Sequence, residues 1–555
     1  MTTLLASVSA KILSKVDRLF TNNLNDILIE LLQNSRRAGA TQVDILTEPS
    51  GNGTLITLRD DGKGIEDFSA LLRLGDSDWD AETLAREDPA GMGFFSLLHH
   101  GVAVTSLDQR AVITKNGFLG REPVEIVPAE SFMAGTEFRF FRPEKQIEVA
   151  SAIKSVGLYG RLAIVVDHVV VEREDFLSGA LFVKRIEGVR IGVFRKPAWT
   201  EWNFHGRLIH RSTPSLTNVL VDEDGQAISL EVRLDVLEAT NIRLKLPDRS
   251  AIVEDERYAA LCRESRIAMY EYLHTLPDHC ASFEQYREAQ GLGVPLKEAS
   301  PWFRAFAALP ADDETAYREF FGTREGLTLG PLDKIAIVDL EQSPEDPFAF
   351  TFRTAQDNFE NLNIRPVAAN HDYKGYGWYD TIPVLTGVAM LFNGRPADKF
   401  EADPLLNVVE TIELSFDLDR RDGCRSHFSW KLPFAAKQLD DFEPVLFVTK
   451  NSPWMLQEGV SEPFDLVEAA THLASSPGDD VGSDSHETQL GYFQDEVQTA
   501  IIRTLGGAAA QVKHELAKAL AVWPLNGALR EANIREIRVL RADEAKSWTI
   551  ELIAA

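Results

Sequence analysis

From Leu24 onward, Leu24, Ile27, Leu28, Leu31 and Leu32 recur at intervals of three and four residues, the period of a helix that buries one stripe. Gly39 ends the pattern after Ala38, and the period then changes. Thr41-Gln42-Val43-Asp44-Ile45-Leu46 alternates as a strand, Gly51-Asn52-Gly53 makes a turn, and Leu55-Ile56-Thr57-Leu58 returns as a second strand. A helix that runs into a hairpin must lay its stripe on a sheet, so the chain is expected to open with an α/β fold.

Asp60 falls where the second strand runs out. Residues 65–90 are polar and acidic, with Glu66, Asp67, Asp76, Asp78, Asp80, Glu82, Glu87 and Asp88 against Arg73 and Arg86, and they read as a mobile connecting segment with short helical pieces. Phe94 to His100 reads as a helix. Strands are expected around Val102–Thr105, Ala111–Thr114 and Thr136–Phe141. A second, strand-rich α+β stretch covers about 158–246 and is closed by a helix from about Val253 to Leu273. Pro277 and Gly291 to Pro295 suggest a boundary. Strands such as Ile335–Val338 and aromatic loops such as Tyr373–Tyr379 follow. Residues 475–484 have linker composition, and the chain ends with an amphipathic helix at about 490–521 and strands at 534–540 and 547–553. The expected domains are 1–150, 151–280, 296–474 and 487–555.

Length and charge limit the classes of function. A chain of 555 residues, 44% apolar, supports roughly three or four domains. With 85 acidic against 57 basic residues the formal charge is −28, which repels polyanions, and no dense Lys/Arg run offsets it. Nucleic acid and membrane surfaces are therefore not the expected partners. Cys262, Cys280 and Cys424 are too scattered for a disulfide framework and fit a reducing, cytoplasmic setting. No apolar run of about twenty residues offers a membrane span, and Met1 to Phe20 lacks the apolar stretch of a signal peptide.

Three short segments carry chemistry. Glu30 and Asn34 lie four residues apart and project from one helix face. A carboxylate there can accept a proton from an attacking water, while an amide oxygen can ligate Mg²⁺ without adding negative charge beside a triphosphate. Asp60, followed by Gly62 and Gly64, places an acceptor against a tight turn that a flat ligand can approach. Gly91-Met92-Gly93-Phe94 opens the expected helix, where exposed amides favour phosphate oxygens. Alone, each has an ordinary structural reading: a solvated helix face, a glycine turn, a helix cap. Together they are complementary parts of one nucleotide site.

In this order the segments resemble the GHKL superfamily, the ATPases that include gyrase B, heat-shock-protein-90-type chaperones, sensor histidine kinases and MutL. Glu30 to Thr41 is similar to the N box, especially in its MutL form, and Asp60-Asp61-Gly62-Lys63-Gly64-Ile65 to the box that follows it. Gly91 to Ser96 resembles the chaperone version of the phosphate loop. Leu74-Gly75-Asp76-Ser77 sits where chaperones start their lid, and Gly135-Thr136 where the family has a late GT motif. The resemblance covers about the first 145 residues. It implies a Bergerat-type α/β sandwich, then a strand-rich α+β transducer-like domain, with α+β domains toward the carboxyl end.

Carried over by position, it implies Glu30 as general base and Asn34 as Mg²⁺ ligand. Asp60 would read the adenine amino group, with Ala38, Gly62, Gly64 and Ile65 around the base and Thr136 supporting Asp60 through a water. Gly91, Met92, Gly93 and Phe94 would give amides to the phosphates of ATP, under a lid at 66–90. One position departs from the N box: Arg37 stands where an acidic residue is usual. In the second domain, Asn203-Phe204-His205-Gly206-Arg207-Leu208-Ile209 resembles the family's NGR-containing strand. Lys245 and Arg249, in Leu244 to Arg249, are the candidates for a basic residue reaching the γ-phosphate.

A histidine kinase would need a phosphoacceptor helix before the ATP domain, a MutL nuclease a DQHA-like motif, and a gyrase a toprim domain. None is visible. The expectation is therefore a slow, Mg²⁺-dependent ATPase that works as a chaperone-like homodimeric clamp on a protein partner. The alternatives are an ATP-binding scaffold with negligible hydrolysis, or a MutL-like nucleic-acid clamp.

Overall fold

The structure, a computed structural model, describes residues 22–75, 79, 83, 91–196, 201–211, 213–222, 227–238, 242–245, 251–303, 332–338, 355–397, 406–420, 423–438, 444–450, 486–541 and 548–554. The linker expected at 475–484 lies outside the described residues. The chain divides into two units, one of residues 1–221 and 227–299, the other of 222–226 and 300–555.

The first unit begins with helix α1 (Leu24–Arg37). The Asn23 side chain caps it by accepting from the Asn25 amide at 2.8 Å. Its other end closes in a Schellman turn, Gly39 N–H donating to Arg36 and Ala40 N–H to Ser35, with Gly39 at φ 78°. Leu24, Ile27, Leu28 and Leu31 are buried, each contributing roughly 1.5–3 kcal/mol of transfer free energy. Strands β1 (Gln42–Ser50) and β2 (Gly53–Asp60) form the expected hairpin.

Strand β3 (Val102–Ile113) is one strand where two were expected; a register shift at Leu107, whose φ is 54°, kinks it midway. After the short helix α2 (Lys115–Phe118) comes β4 (Ile126–Arg142), then α3 (Gln146–Gly157), β5 (Ala163–Val166) and β6 (Val169–Val170). The sheet order is β3-β4-β2-β1-β5-β6. Helices α1 and α3 pack together, with α3 laid on β1 and β2, a two-layer α/β sandwich. The sheet therefore runs past the expected boundary at 150, because β5 pairs in parallel with β1, Gln42 opposite Ala163.

A second sheet follows: β7 (Phe182–Ile186), β8 (Val189–Arg195), β9 (Glu201–Phe204), β10 (Arg207–His210), β11 (Ser215–Val221) and β12 (Ala227–Val236), in the order β10-β9-β12-β8-β7 with β11 on β12. Helix α4 (Glu256–Thr275) packs on it, and Ala289 of α5 (Phe283–Gly291), Val294 and Leu296 join the same core. Burial of these three side chains carries this domain beyond the expected end at 280.

In the second unit, β13 (Ile335–Val338), β14 (Arg365–Ala368), β15 (Val384–Phe392), β16 (Arg395–Pro396), β18 (Ile412–Asp419) and β19 (Arg425–Leu432) build one mixed sheet, with helix α6 (Gln356–Asn361) between β13 and β14 in the chain. A three-stranded sheet joins β17 (Leu406–Val409), β21 (Pro444–Thr449) and β20 (Phe434–Gln438). Tyr373, Tyr376 and Tyr379, expected in a loop, are buried in an aromatic cluster with Phe303. The long helix α7 (His486–Ala521) is interrupted at Gly507 (φ 77°, ψ 178°) and leads through α8 (Leu525–Glu531) to the hairpin of β22 (Ile534–Arg541) and β23 (Trp548–Ala554). Among the described residues, no helix is long and apolar enough to cross a membrane.

Candidate functional site

A cavity of about 300 Å³ opens in the first sandwich between α1, the end of β2 and the segment after residue 91. Glu30, Asn34, Ala38, Asp60, Gly64, Ile65, Gly91, Met92, Gly93, Phe94 and Thr136 all line it. Residues separated by up to about a hundred positions are thus brought together by one helix, the end of β2, the interior of β4 and the turn that begins at Gly91.

Strand register explains the deepest part. Asp60, the last residue of β2, pairs with Thr136 of β4. The carboxylate is only 3% exposed. Its Oδ1 accepts from the Gly62 amide at 2.9 Å and the Thr136 amide at 3.3 Å, and its Oδ2 accepts from Ser35 Oγ at 3.0 Å. Burial pushes the Asp60 carboxyl above the usual aspartate range, against the opposing pull of those three bonds. Thr136 supports Asp60 directly through its backbone, where a water-mediated contact was expected. Gly135 (φ 82°) must be glycine here, since a Cβ would lie 1.9 Å from the Asp60 carbonyl oxygen.

Gly62 is not among the lining residues. It lies behind Ala38, whose Cβ would stand 2.9 Å from a Cβ built on Gly62. Ser106 was not legible as a site residue, because its role depends on β3 pairing with β4. Its hydroxyl accepts from the Ile65 amide at 2.8 Å and donates to the Gly135 carbonyl at 2.7 Å, tying the turn after Asp60 to the Gly135-Thr136 turn. Ser35, inside the N-box segment, was readable only once Asp60 was seen opposite it. Lys63, Glu66, Asp67 and Trp79 also line the cavity, with Lys63 Nζ 5.2 Å from the centre of the Trp79 ring.

The Gly91–Phe94 segment opens a single 3-10 turn (Gly93–Leu97), not the expected helix. Phe94, Phe95, Leu97 and Leu98 are all buried, and Gly101 (φ 65°) turns the chain straight into β3. Backbone amides remain available to an anion, without the dipole of a long helix behind them. Gly93 packs on Glu30: a Cβ would come within 2.3 Å of Glu30 Oε2. Of the expected lid, Phe68–Leu72 forms a 3-10 turn capped by Asp67. Residues 76–78, 80–82 and 84–90, and so Asp76 and Ser77, lie outside the described residues.

The basic residue that the second domain brings to α1 is Arg207. Its Nη1 donates to Asp26 Oδ1 at 2.8 Å and its Nη2 to Glu30 Oε1 at 3.4 Å. Asn203 sets this up: its Oδ1 accepts from the Gly206 amide at 2.8 Å, closing a turn with His205 at φ 52° and Gly206 at φ 92°. Its Nδ2 donates to Asp235 Oδ1 and to the Tyr159 carbonyl. Lys245 is not among the lining residues; its amide donates to the Ala251 carbonyl beside the Leu244–Ile252 bridge. Arg249 lies outside the described residues.

Asn34 Oδ1, the oxygen expected to ligate Mg²⁺, accepts a hydrogen bond from Arg37 Nη1 at 2.9 Å. The bond takes one of the two lone pairs of that oxygen.

Residues 22–116 match the family profile of histidine kinase-, DNA gyrase B- and HSP90-like ATPases. That match, over α1, the β1–β2 hairpin and β3, identifies this segment as GHKL-type, a class of ATP-binding domain. No curated protein matches the chain. Among solved structures, the chain is similar to the ATPase region of Saccharomyces cerevisiae topoisomerase II, with 10% identity and a TM-score of 0.30, over 41% of this chain and 76% of that one. It is also similar to the N-terminal domain of a DNA repair protein, with 14% identity and a TM-score of 0.29, over 47% of this chain and 97% of that one.

Proposed function

We propose that the chain binds ATP in the α1–β2 cavity and hydrolyses it to ADP and phosphate. The observation that carries this reading is the juxtaposition of Glu30, Asp60 and the Gly91–Phe94 amides around one cavity. Asp60 accepts the adenine exocyclic amine, the one ligand group there that needs a buried acceptor. The turn at Gly64 and Ile65 lets the flat base approach, and the amides after Gly91 hold phosphate oxygens. Glu30, at the other end, takes a proton from a water whose oxygen attacks the γ-phosphorus as the bond to the bridging oxygen breaks and ADP leaves.

The biological reading is a conformational switch. ATP closes the segment over the cavity and pairs two amino-terminal domains, and Arg207 transmits the change to the second sheet, so that a dimeric clamp closes on a protein partner. The second reading, an ATP-binding scaffold that hydrolyses negligibly, is favoured by one observation: Glu30 is already engaged by Arg207.

Glu30→Ala and Asp60→Asn test the first reading. Glu30→Ala should bind ATP and lose turnover; unchanged turnover would leave only the scaffold. If Asp60→Asn binds ATP as tightly as the native chain, the site is misassigned. Light scattering with a non-hydrolysable ATP analogue tests the clamp, for which the mass should double.

A further inference from the structure

The two oxygens of the Glu30 carboxylate face different neighbours. Oε1 is met by Arg207 Nη2 at 3.4 Å, whereas Oε2 lies over Gly93, so close that a Cβ built there would stand 2.3 Å from it. Gly93 belongs to the turn whose amides are offered to phosphate, so Oε2 is the oxygen on the reacting side. Arg207 is nearly buried and is not among the lining residues, so it reaches the base from outside the cavity.

The guanidinium is held from two directions. Asp26, one turn earlier on α1, accepts from its Nη1 at 2.8 Å. The backbone that carries Arg207 is fixed by the two-residue turn between β9 and β10, where His205 and Gly206 both have positive φ, 52° and 92°. Asn203 locks that turn: its Oδ1 accepts from the Gly206 amide while its Nδ2 donates to Asp235 Oδ1 at 2.8 Å, and Asp235 Oδ2 in turn accepts from Arg190 Nε at 2.9 Å. Asn203 and Asp235 are both buried, which leaves the amide one orientation that satisfies both bonds.

We propose that Arg207 is a positioning residue for ATP hydrolysis and that Asn203 sets it in place. By holding Oε1, the guanidinium leaves Oε2 turned to Gly93. There Oε2 takes the proton of the attacking water as that water's oxygen bonds to the γ-phosphorus and the bond to the bridging oxygen breaks. Without the hold, the carboxylate samples other rotamers and the proton transfer loses its alignment. This rests on the hydrolysis reading above and deepens it: the Arg207 contact occupies one oxygen of the base and keeps the other for the chemistry.

The test is phosphate release at saturating ATP in excess Mg²⁺, with ATP affinity measured by calorimetry on the same full-length samples. Arg207→Ala should lower kcat by more than about fivefold and ATP affinity by a smaller factor, a split that general damage to the fold would not give. Arg207→Lys, which keeps a cation against Glu30, should turn over faster than Arg207→Ala. Asn203→Ala, which leaves every lining residue unchanged, should lower kcat by more than about threefold, again with a smaller change in affinity. The proposal is overturned if Arg207→Ala keeps kcat within about fivefold of the native chain, if its affinity falls as much as its kcat, or if Arg207→Lys is no faster. An Asn203→Ala kcat within about threefold of native overturns the part given to Asn203. A native chain without turnover, or one whose turnover Glu30→Ala leaves unchanged, overturns the hydrolysis reading and this proposal with it. Turnover that needs Glu30 but not Arg207 overturns this proposal alone.

Discussion

Arg207 Nη2 and Glu30 Oε1 stand 3.4 Å apart, so a guanidinium from the second sheet meets a carboxylate that lines the cavity in the first. The same guanidinium holds Asp26 at 2.8 Å, one helical turn earlier on α1. The Arg207 and Glu30 side chains are nearly buried, while Asp26 keeps about a third of its surface.

Removing Arg207 therefore takes a shared cation away from two carboxylates on one face of α1. Arg207→Ala should lower the unfolding free energy in urea by about 2–3 kcal/mol, near the low end for a broken buried pair because Asp26 is partly solvated. Adding Asp26→Asn should recover at least about 1 kcal/mol of that loss by relieving the repulsion. If the two substitutions simply add, the triad is not energetically coupled.

Asp60 gives a pH signature. Burial raises its carboxyl above the ordinary value of 3.8, and only the carboxylate can accept from adenine without also presenting a proton. ATP affinity should fall as the solution is acidified through that raised pKa, at a higher pH than an exposed aspartate would produce. Asp60→Asn should weaken binding at neutral pH by at least about tenfold and remove the acid limb. For folding the sign is opposite. The protonated form is the one burial favours, so the stability Asp60 adds is complete below 3.8 and is lost as pH rises through its folded value.

His100 should act in the other direction. Its ring is partly buried with Arg142 Nη1 2.6 Å from Nε2, and burial together with the adjoining guanidinium holds its pKa down to about 4. The neutral ring belongs to the folded state, so this contribution is complete above 6.5 and is lost as pH falls from there to about 4. Up to about 3 kcal/mol is at stake, less whatever solvent screens at the exposed part of the ring. His100→Gln should flatten the stability profile in that window, and NMR titration of the ring should show the depressed value.

Gly93→Ala tests the contact between the phosphate turn and the base. The new methyl would sit 2.3 Å from Glu30 Oε2, so the carboxylate must swing aside. Turnover should fall at least about tenfold, a misplacement cost of 1.4 kcal/mol or more in the barrier, with a smaller change in ATP affinity. Equal losses in both would mean that the turn itself had collapsed.

Much of this is legible in the sequence. The stripe from Leu24 to Leu32 gave α1, and the short alternating runs either side of Gly51 to Gly53 gave the hairpin, because local period decides both. Asp60 and Thr136 were named separately, yet their direct bond is a property of β2–β4 register, which no local pattern encodes. Ser106 went unseen for the same reason. The expected helix after Phe94 is a 3-10 turn because buried aromatic rings and Gly101 end it, a tertiary effect. Arg207 lies in the segment that resembles the NGR-containing strand, but its importance rests on the turn that Asn203 closes, which no local pattern encodes. Arg37 stands out in the sequence only as a departure from the N box, and its bond to Asn34 is a property of the folded helix face.

The segment from Gln146 to Val170 serves two masters. Its strands β5 and β6 extend the first sheet beyond β1, while Val156 and Gly160, just before them, form the surface against which Gly206 is pressed. The two sheets cannot be inherited or exchanged as independent modules with a seam at residue 150. A chain joined to another at 150 would have to rebuild across the junction both the β1–β5 pairing and the backbone contact under Gly206, and one joined after Val170 the bond from Asn203 to the Tyr159 carbonyl.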